Sequence, residues 1–120
     1  NLLDPERGAF GGSQFADAEY YQQPVEERRE WNPPAVDPTV YAGPNAVAAR
    51  AFFAWWQATG DESGLATARA AVDFVLTHLF AEGVVSHYLP APDAPDAGRV
   101  PSGLLADAAD VAAACLDLYE

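Results

Sequence analysis

The chain has 120 residues, half of them hydrophobic, which is enough for one compact domain with an ordinary core. Its 18 acidic residues outnumber six basic ones, all arginine, and a net charge of −12 disfavours contact with phosphate backbones and anionic lipid. We therefore expect neither a nucleic-acid partner nor a membrane partner. The acidic, lysine-free composition is typical of a halophile's cytoplasmic protein, and a GC-rich coding sequence is the alternative explanation.

Individual features of the sequence argue against a membrane-spanning segment, a disulfide or redox pair, and a metal site. The longest apolar windows are interrupted by Arg50, Asp107 and Asp110, so no membrane-spanning segment is predicted and a cytoplasmic location is expected. Cys115 is the single cysteine, which rules out a disulfide or a Cys-x-x-Cys redox pair within the chain. The spacing of the two histidines does not suit a metal site, and we expect no metal and no cofactor. The lack of methionine and the abrupt ends predict a segment cut from a longer protein.

The first half of the chain predicts a long irregular segment followed by two helices. Residues 1–44 are rich in glycine, proline and polar residues and read mostly as loop, with a short helix near residues 24–30. A helix over residues 45–59 is apolar on nearly every side, so it should be covered on every side. Gly60 is placed to cap its end in the left-handed conformation. The next helix, over residues 62–80, has one apolar stripe and one charged face.

The second half predicts an extended arm and a last apolar helix. Residues 83–89 are β-branched and aromatic, and residues 104–119 form a helix almost as apolar as the first. This order of buried, amphipathic and buried helices predicts an all-α fold, a partial α/α toroid built of antiparallel helical hairpins, with an irregular N-terminal segment and a short β arm. A four-helix bundle fits less well, because its helices should be similarly amphipathic. A helical-repeat solenoid is the other alternative, although no repeat is visible.

A toroid brings the starts of its inner helices to one rim, where the residues before and within their first turns converge. We therefore predict catalytic roles for Asp17, His87 and Asp107, and ligand contacts for Gln14, Tyr41, Asn45 and Tyr88. Asp17 and Asp107 are the two acids that this geometry would pair, as glycoside hydrolysis requires at separations of about 5 to 9.5 Å. Each residue also has a structural alternative: Asn45 as a helix N-cap, Asp107 as a favourable charge in a first turn, and His87 as a core or surface histidine.

Three runs resemble a known family, the thioredoxin-domain-containing proteins related to the spermatogenesis-associated thioredoxin-like protein. Residues 4–21 (DPERGAFGGSQFADAEYY) are similar to that family's Gly-Gly-Phe segment followed by Ser-Gln-Asp-Ala-Asp. Residues 36–46 (VDPTVYAGPNA) and 104–109 (LLADAA) resemble the segments that precede its helices. Phe15 and Pro44 depart from the family pattern, standing where it has an aspartate and a tryptophan.

The resemblance implies a fragment of the carboxy-terminal, six-hairpin glycosidase-like domain, similar to N-acylglucosamine 2-epimerases, with a thioredoxin-like domain upstream as its partner. It also implies Gln14, Asp17, Asn45 and Asp107 as pocket residues. We expect the intact protein to bind a carbohydrate-like or other polar small molecule, with sugar isomerisation, epimerisation or glycosidic hydrolysis as the reaction. The alternative is a non-catalytic scaffold or interaction domain attached to the thioredoxin-like domain. Self-association of the fragment through its apolar helices is also expected.

Overall fold

The structure, a computed structural model, describes residues 2–94 and 98–119. Within these ranges the chain forms five helices and eight strands of two residues each. The helices are α1 (Ala18–Gln22), α2 (Val25–Arg28), α3 (Ala42–Thr59), α4 (Glu62–His78) and α5 (Leu105–Tyr119). The strands are β1 (Leu3–Asp4), β2 (Ala9–Phe10), β3 (Gln14–Phe15), β4 (Ala35–Val36), β5 (Val40–Tyr41), β6 (Phe80–Ala81), β7 (Val84–Val85) and β8 (Tyr88–Leu89).

Helices α3 and α4 form a hairpin that is closed by local hydrogen bonds. Gly60 has the left-handed φ of +72°, as predicted, and its N–H donates to the Trp56 carbonyl at 2.7 Å. Asp61 caps α4 by accepting a hydrogen bond from the Ser63 N–H at 3.0 Å. Where the two helices are closest, a Cβ on Gly64 would lie 3.0 Å from the Phe52 carbonyl oxygen. The missing side chain at that position therefore lets the two helices approach closely.

Helix α3 is the centre of the core, because it contacts both α4 and α5. The core cluster combines small and branched side chains from these helices, including Ala46, Ala49, Val72, Val75 and Val111, all nearly inaccessible to solvent. The first strands also reach this core, since Ala9 of β2 is fully buried in it. The hydrophobic core therefore extends from the helices into the N-terminal segment.

The strands pair antiparallel as β1–β2, β3–β4, β5–β8 and β6–β7. The pairing of β5 with β8 places Tyr41 opposite Tyr88 and joins the start of α3 to the arm after α4. The Ala42 N–H extends this ladder by donating to the His87 carbonyl at 2.9 Å, and the His87 N–H donates to the Pro101 carbonyl at 2.8 Å. The arm is thereby held between the start of α3 and the segment that leads into α5.

The predicted all-α toroid is wrong, because the described chain is mixed α/β, 51% helical and 16% strand, with its strands in small antiparallel sheets. Two-residue ladders carry no period in sequence, so the N-terminal segment read as loop. The apolar helices are also not covered on every side: Trp55 of α3 is 55% exposed, and Leu105 and Tyr119 of α5 are 84% and 90% exposed. Helix α3 packs mainly against α4 and α5, so the sides of these helices that face neither partner stay open to solvent.

Within the described residues, no helix is both long enough and apolar enough to cross a bilayer.

Candidate functional site

A histidine and a buried aspartate form a close polar contact between the arm after α4 and helix α5. The Nδ1 atom of His87 lies 2.8 Å from Oδ2 of Asp107. His87 lies between β7 and β8, and Asp107 lies in the first turn of α5. Asp107 is only 4% exposed, whereas the side chain of His87 is 34% exposed. A buried carboxylate therefore holds an imidazole that is partly exposed to solvent.

The chemistry of the two groups determines how the imidazole is oriented. An ionised carboxylate can only accept hydrogen bonds, so a neutral His87 must carry its proton on Nδ1 to donate to Asp107. The other ring nitrogen, Nε2, then holds the free lone pair and is the basic atom of the ring. This orientation of a base by a carboxylate is the arrangement found in general-base sites. The His87–Asp107 pair can therefore accept a proton at a defined atom.

Two tyrosines pack edge-on around the imidazole. The ring centroids of Tyr41 and Tyr88 lie 5.6 Å and 5.9 Å from that of His87, with interplanar angles of 70° and 76°. The two tyrosine rings lie 5.6 Å from each other, because the β5–β8 register places their residues opposite one another. The pair is consequently bordered by aromatic rings that can pack against the apolar face of a ligand.

The structure adds Asp110, which the sequence analysis missed. A Cβ built on Gly43 would lie 2.9 Å from Asp107 Oδ1 and 3.3 Å from Asp110 Oδ2, so both carboxylates lie over the backbone of α3 at this glycine. The carboxylate close to Asp107 is therefore that of Asp110. The sequence analysis had paired Asp107 with Asp17 instead. The i, i+3 spacing of the two acids on α5 was the sequence signal that could have indicated this neighbourhood.

One arginine partly offsets the acidic charge on this face of α5. Arg50 of α3 forms an ion pair with Asp117, with its Nε atom 2.6 Å from Oδ2. The hydrogen bond to Asp117 raises the pKa of Arg50 most, the charge of Asp117 adds to the effect, and the charge of Asp110 contributes least. The ion pair joins α3 to α5 and is partly exposed, so its contribution to stability is small.

Asn45 has a structural role in this fold. It is 1% exposed, and its side-chain oxygen accepts from the Phe10 N–H at 2.8 Å. Its amide nitrogen donates to the carbonyl oxygens of Phe10 at 3.0 Å and of Tyr41 at 2.9 Å. The predicted N-cap role is wrong, since Tyr41 is the N-cap residue and Asn45 lies within α3. Asn45 supports the site indirectly by attaching strand β2 to the residue that borders His87.

The two remaining predicted residues lie elsewhere. Asp17 is the N-cap residue of α1 and lines an open cleft of about 560 Å³, whose lining includes none of the residues around His87. Gln14 lies in β3, and its side-chain nitrogen donates to the Pro34 carbonyl at 3.0 Å. The structure therefore brings together Tyr41, His87 and Asp107 with Tyr88, and separates Asp17 and Gln14 from that group.

Within the described ranges, no group of three or more His, Cys, Asp or Glu side chains is arranged to hold a metal ion. Burial raises the pKa of the Cys115 thiol, which keeps it protonated and unreactive at neutral pH. The contact between His87 and Asp107 is the feature of this group of side chains that supports proton transfer. Comparisons of the chain with protein-family models, with curated proteins and with solved structures found no match.

Proposed function

We propose that the His87–Asp107 pair and the two flanking tyrosines form a proton-transfer site for a carbohydrate-like or other polar small molecule. The observation that carries the proposal is the 2.8 Å contact between an imidazole that is about one-third exposed and a carboxylate that is 4% exposed. Burying a charged carboxylate costs free energy unless it is paired, so its position beneath an accessible histidine favours a functional role. The rings of Tyr41 and Tyr88, which pack around His87, support the proposal further.

In this proposal His87 is the catalytic base, and Asp107 is a positioning residue that keeps the proton on Nδ1. In isomerisation, Nε2 removes a proton from a carbon next to a carbonyl and returns it to the former carbonyl carbon, while a hydroxyl proton of the same ligand passes to the carbonyl oxygen. In hydrolysis, Nε2 removes a proton from a water molecule, the water oxygen forms the new bond as the bond to the leaving group breaks, and the proton is given to the leaving-group oxygen. Tyr41 and Tyr88 pack against the apolar face that a sugar ring presents.

The test combines binding with mutation of the proposed base. A panel of neutral sugars and sugar acids is titrated against the protein, and the ring resonances of both histidines are followed by NMR. We expect at least one compound to shift the His87 resonances saturably, and His87→Gln to abolish its turnover and weaken its binding. Asp107→Asn should retain binding but reduce turnover by about 10²-fold or more, because the ring then loses its fixed tautomer.

The other histidine supplies a matched control. His78 is at the end of α4, where its ring lies 4.4 Å from the ring of Phe74 and has no carboxylate partner among the described contacts. His78→Gln should leave binding and turnover unchanged. A panel that moves neither histidine, or moves both equally, would contradict the proposal.

The second candidate function is a non-catalytic interaction domain that binds a thioredoxin-like domain of the same protein. Exposed apolar side chains favour it, since Leu105, Leu116 and Tyr119 of α5 are 84%, 66% and 90% exposed. Contiguous exposed apolar surface of this kind is typical of protein-binding faces. Leu116→Glu should then abolish co-elution with a separately expressed thioredoxin-like domain, while Ala66→Glu on the exposed face of α4 should not. Co-elution that Leu116→Glu leaves intact would exclude this face as the contact.

A further inference from the structure

The open cleft that Asp17 lines has both aromatic and acidic residues in its walls. We propose that the cleft between β3, α1 and the residues leading into β4 binds a compact alkylammonium group. Its volume of about 560 Å³ lies within the range of small-molecule sites, about 300–1,000 Å³. Its walls include the aromatic side chains of Phe15, Tyr20 and Trp31 and the acidic side chains of Asp17 and Glu30. We name it the Trp31 cleft.

The aromatic side chains of the Trp31 cleft offer free ring surface. Phe15 is 73% exposed and Trp31 is 42% exposed, although large aromatic side chains are usually well buried. Tyr20 and Trp31 pack edge to face, with ring centroids 6.3 Å apart and an interplanar angle of 67°. Exposed rings that converge on one cleft are the arrangement that binds organic cations, since each ring face carries negative charge density.

The charge of the cleft favours a cation over a neutral ligand. Asp17 and Glu30 contribute two acidic groups to its walls, and no Lys, Arg or His is present among the described residues that line it. The ring of Tyr20 already attracts a cation within the protein, because the Arg28 guanidinium lies 5.8 Å from its centroid. Arg28 is not among the lining residues, and its guanidinium is fixed by hydrogen bonds from Nε to the Gln23 carbonyl at 2.7 Å and from Nη2 to the Tyr21 carbonyl at 3.0 Å. A ligand cation thus meets no fixed positive charge in the lining.

The walls of the cleft are connected by hydrogen bonds, so its shape is largely formed before a ligand binds. Strands β3 and β4 pair with Phe15 opposite Ala35. The side chain of Gln14 donates to the Pro34 carbonyl at 3.0 Å, which attaches the residues that follow Trp31 to β3. The Trp31 N–H donates to the Arg28 carbonyl at 3.2 Å. A formed aromatic cleft loses little conformational entropy on binding.

The probe is tetramethylammonium chloride, and the readout is the indole N–H resonance of Trp31 in NMR spectra. Sodium chloride at equal ionic strength and tert-butanol, a neutral molecule of similar shape, are the matched ligands. We expect a saturable shift with tetramethylammonium only, and a dissociation constant that rises with salt because the attraction is electrostatic. An equal shift with tert-butanol would replace the proposal with an uncharged apolar cleft. No saturable shift with tetramethylammonium would overturn it outright.

Variants test whether the named side chains make the site. Phe15→Leu and Asp17→Asn should each weaken tetramethylammonium binding by about two- to fivefold, which is the expected contribution of one ring or one charge at an exposed site. Both side chains are exposed, and unchanged circular dichroism spectra would show that the fold is retained. Trp55→Leu removes an exposed tryptophan outside this cleft and should leave binding unchanged. If both cleft variants bind as the unmutated protein does, the cation binds elsewhere.

The alkylammonium group can belong to a free amine or to a lysine side chain of a peptide. A short peptide with one trimethylated lysine is compared with choline, which presents the same cation without a peptide backbone. Binding at least tenfold tighter for the peptide would assign the cleft to a protein partner. Equal affinity would assign it to a small molecule. If the peptide and choline both bind at least tenfold more weakly than tetramethylammonium, the cleft recognises neither a free amine nor a lysine side chain, and the proposed role is overturned.

Discussion

Gly43 and Asp107 are in close contact across the interface of α3 and α5, since a Cβ on Gly43 would lie only 2.9 Å from Asp107 Oδ1. The same carboxylate bonds His87 through Oδ2 at 2.8 Å. The absence of a side chain at residue 43 is therefore what gives the aspartate room to reach the histidine. Helix α3 therefore contributes to the candidate site through the space at Gly43, and its N-cap residue Tyr41 contributes an aromatic ring.

Gly43→Ala should separate the His87–Asp107 pair without unfolding the protein. Alanine favours a helix by about 1 kcal/mol over glycine, which offsets part of the strain from displacing a side-chain oxygen, and we expect the free energy of unfolding to change by less than about 1 kcal/mol. NMR correlations to the ring nitrogens should show that His87 loses its preference for the proton on Nδ1. The spectrum of His78 is the internal control. An unchanged His87 tautomer would show that the carboxylate does not need the space at Gly43.

Asn45→Ala should be strongly destabilising. The substitution leaves the N–H and carbonyl of Phe10 and the carbonyl of Tyr41 without their side-chain partner, in a position where Asn45 is 1% exposed. Buried polar groups without partners cost about 1–3 kcal/mol each when water does not reach them, so we expect a loss of about 2–4 kcal/mol in urea unfolding. Asn32→Ala, at an exposed position, should change stability by less than about 0.5 kcal/mol. A loss as small for Asn45→Ala as for this control would contradict the structural role.

The N-cap of α4 should make stability depend on pH in acid. Hydrogen bonds from the Ser63 hydroxyl first, then from the Ser63 N–H and the Trp55 indole, lower the pKa of Asp61 below its usual 3.8. A lowered folded-state pKa means that the cap stabilises the protein above about pH 4, and that this contribution is lost as the pH falls through the folded-state value. Asp61→Ala should therefore lower the melting temperature by a few degrees at pH 7 and by less near pH 2.

Thermal melts of the unmutated and Asp61→Ala proteins between pH 2 and pH 7 measure this difference. Asp73→Ala, at an exposed position in the middle of α4, is the matched control and should show no such convergence. A gap between the Asp61→Ala and unmutated curves that is constant over the whole range would rule out the titration of Asp61 as its cause.

Salt should stabilise the protein because of its net charge of −12. Repulsion among surface carboxylates destabilises the compact state, and salt shortens the Debye length from about 10 Å at 0.1 M to about 3 Å at 1 M. We expect the melting temperature to rise between 0.05 M and 1 M sodium chloride and then to level off. Replacing Glu26, Glu27 and Glu30 by glutamine removes three negative charges from an exposed region and should reduce the rise. A melting temperature independent of salt would contradict both this mechanism and a halophilic origin.

Local features of the structure were predictable from the sequence. The left-handed cap at Gly60 follows from a glycine after an apolar helical run, and the capping role of Asp61 follows from an acid before a helix. The hairpin of α3 and α4 follows from the short link between them. These features depend on hydrogen bonds between residues only a few positions apart, and such contacts leave a pattern in the sequence.

The positions of the site residues were only partly predictable. Tyr41 and Asp107 were selected because they precede or begin predicted inner helices, and His87 because its predicted arm leads towards the next inner helix. The structure does bring the three together, although in a mixed α/β fold and not a toroid. Asn45 was selected by the same rule and belongs to the core. Asp17 was also selected by it and lies in a separate cleft. A position near the start of a predicted helix therefore does not tell whether a residue belongs to the candidate site, to the core or to a separate cleft.

By itself, the sequence determined the three long helices, the caps at Gly60 and Asp61 and the strong negative charge, because helical periodicity, capping and charge are properties of neighbouring residues. Only the tertiary structure decided that Asn45 bonds a residue 35 positions away and that His87 meets an aspartate 20 positions away. Both contacts depend on two-residue ladders, which hold segments together through backbone hydrogen bonds that almost any side chain permits. Such ladders leave no pattern of residue types, so the side chains that they bring together could be located only in the folded chain.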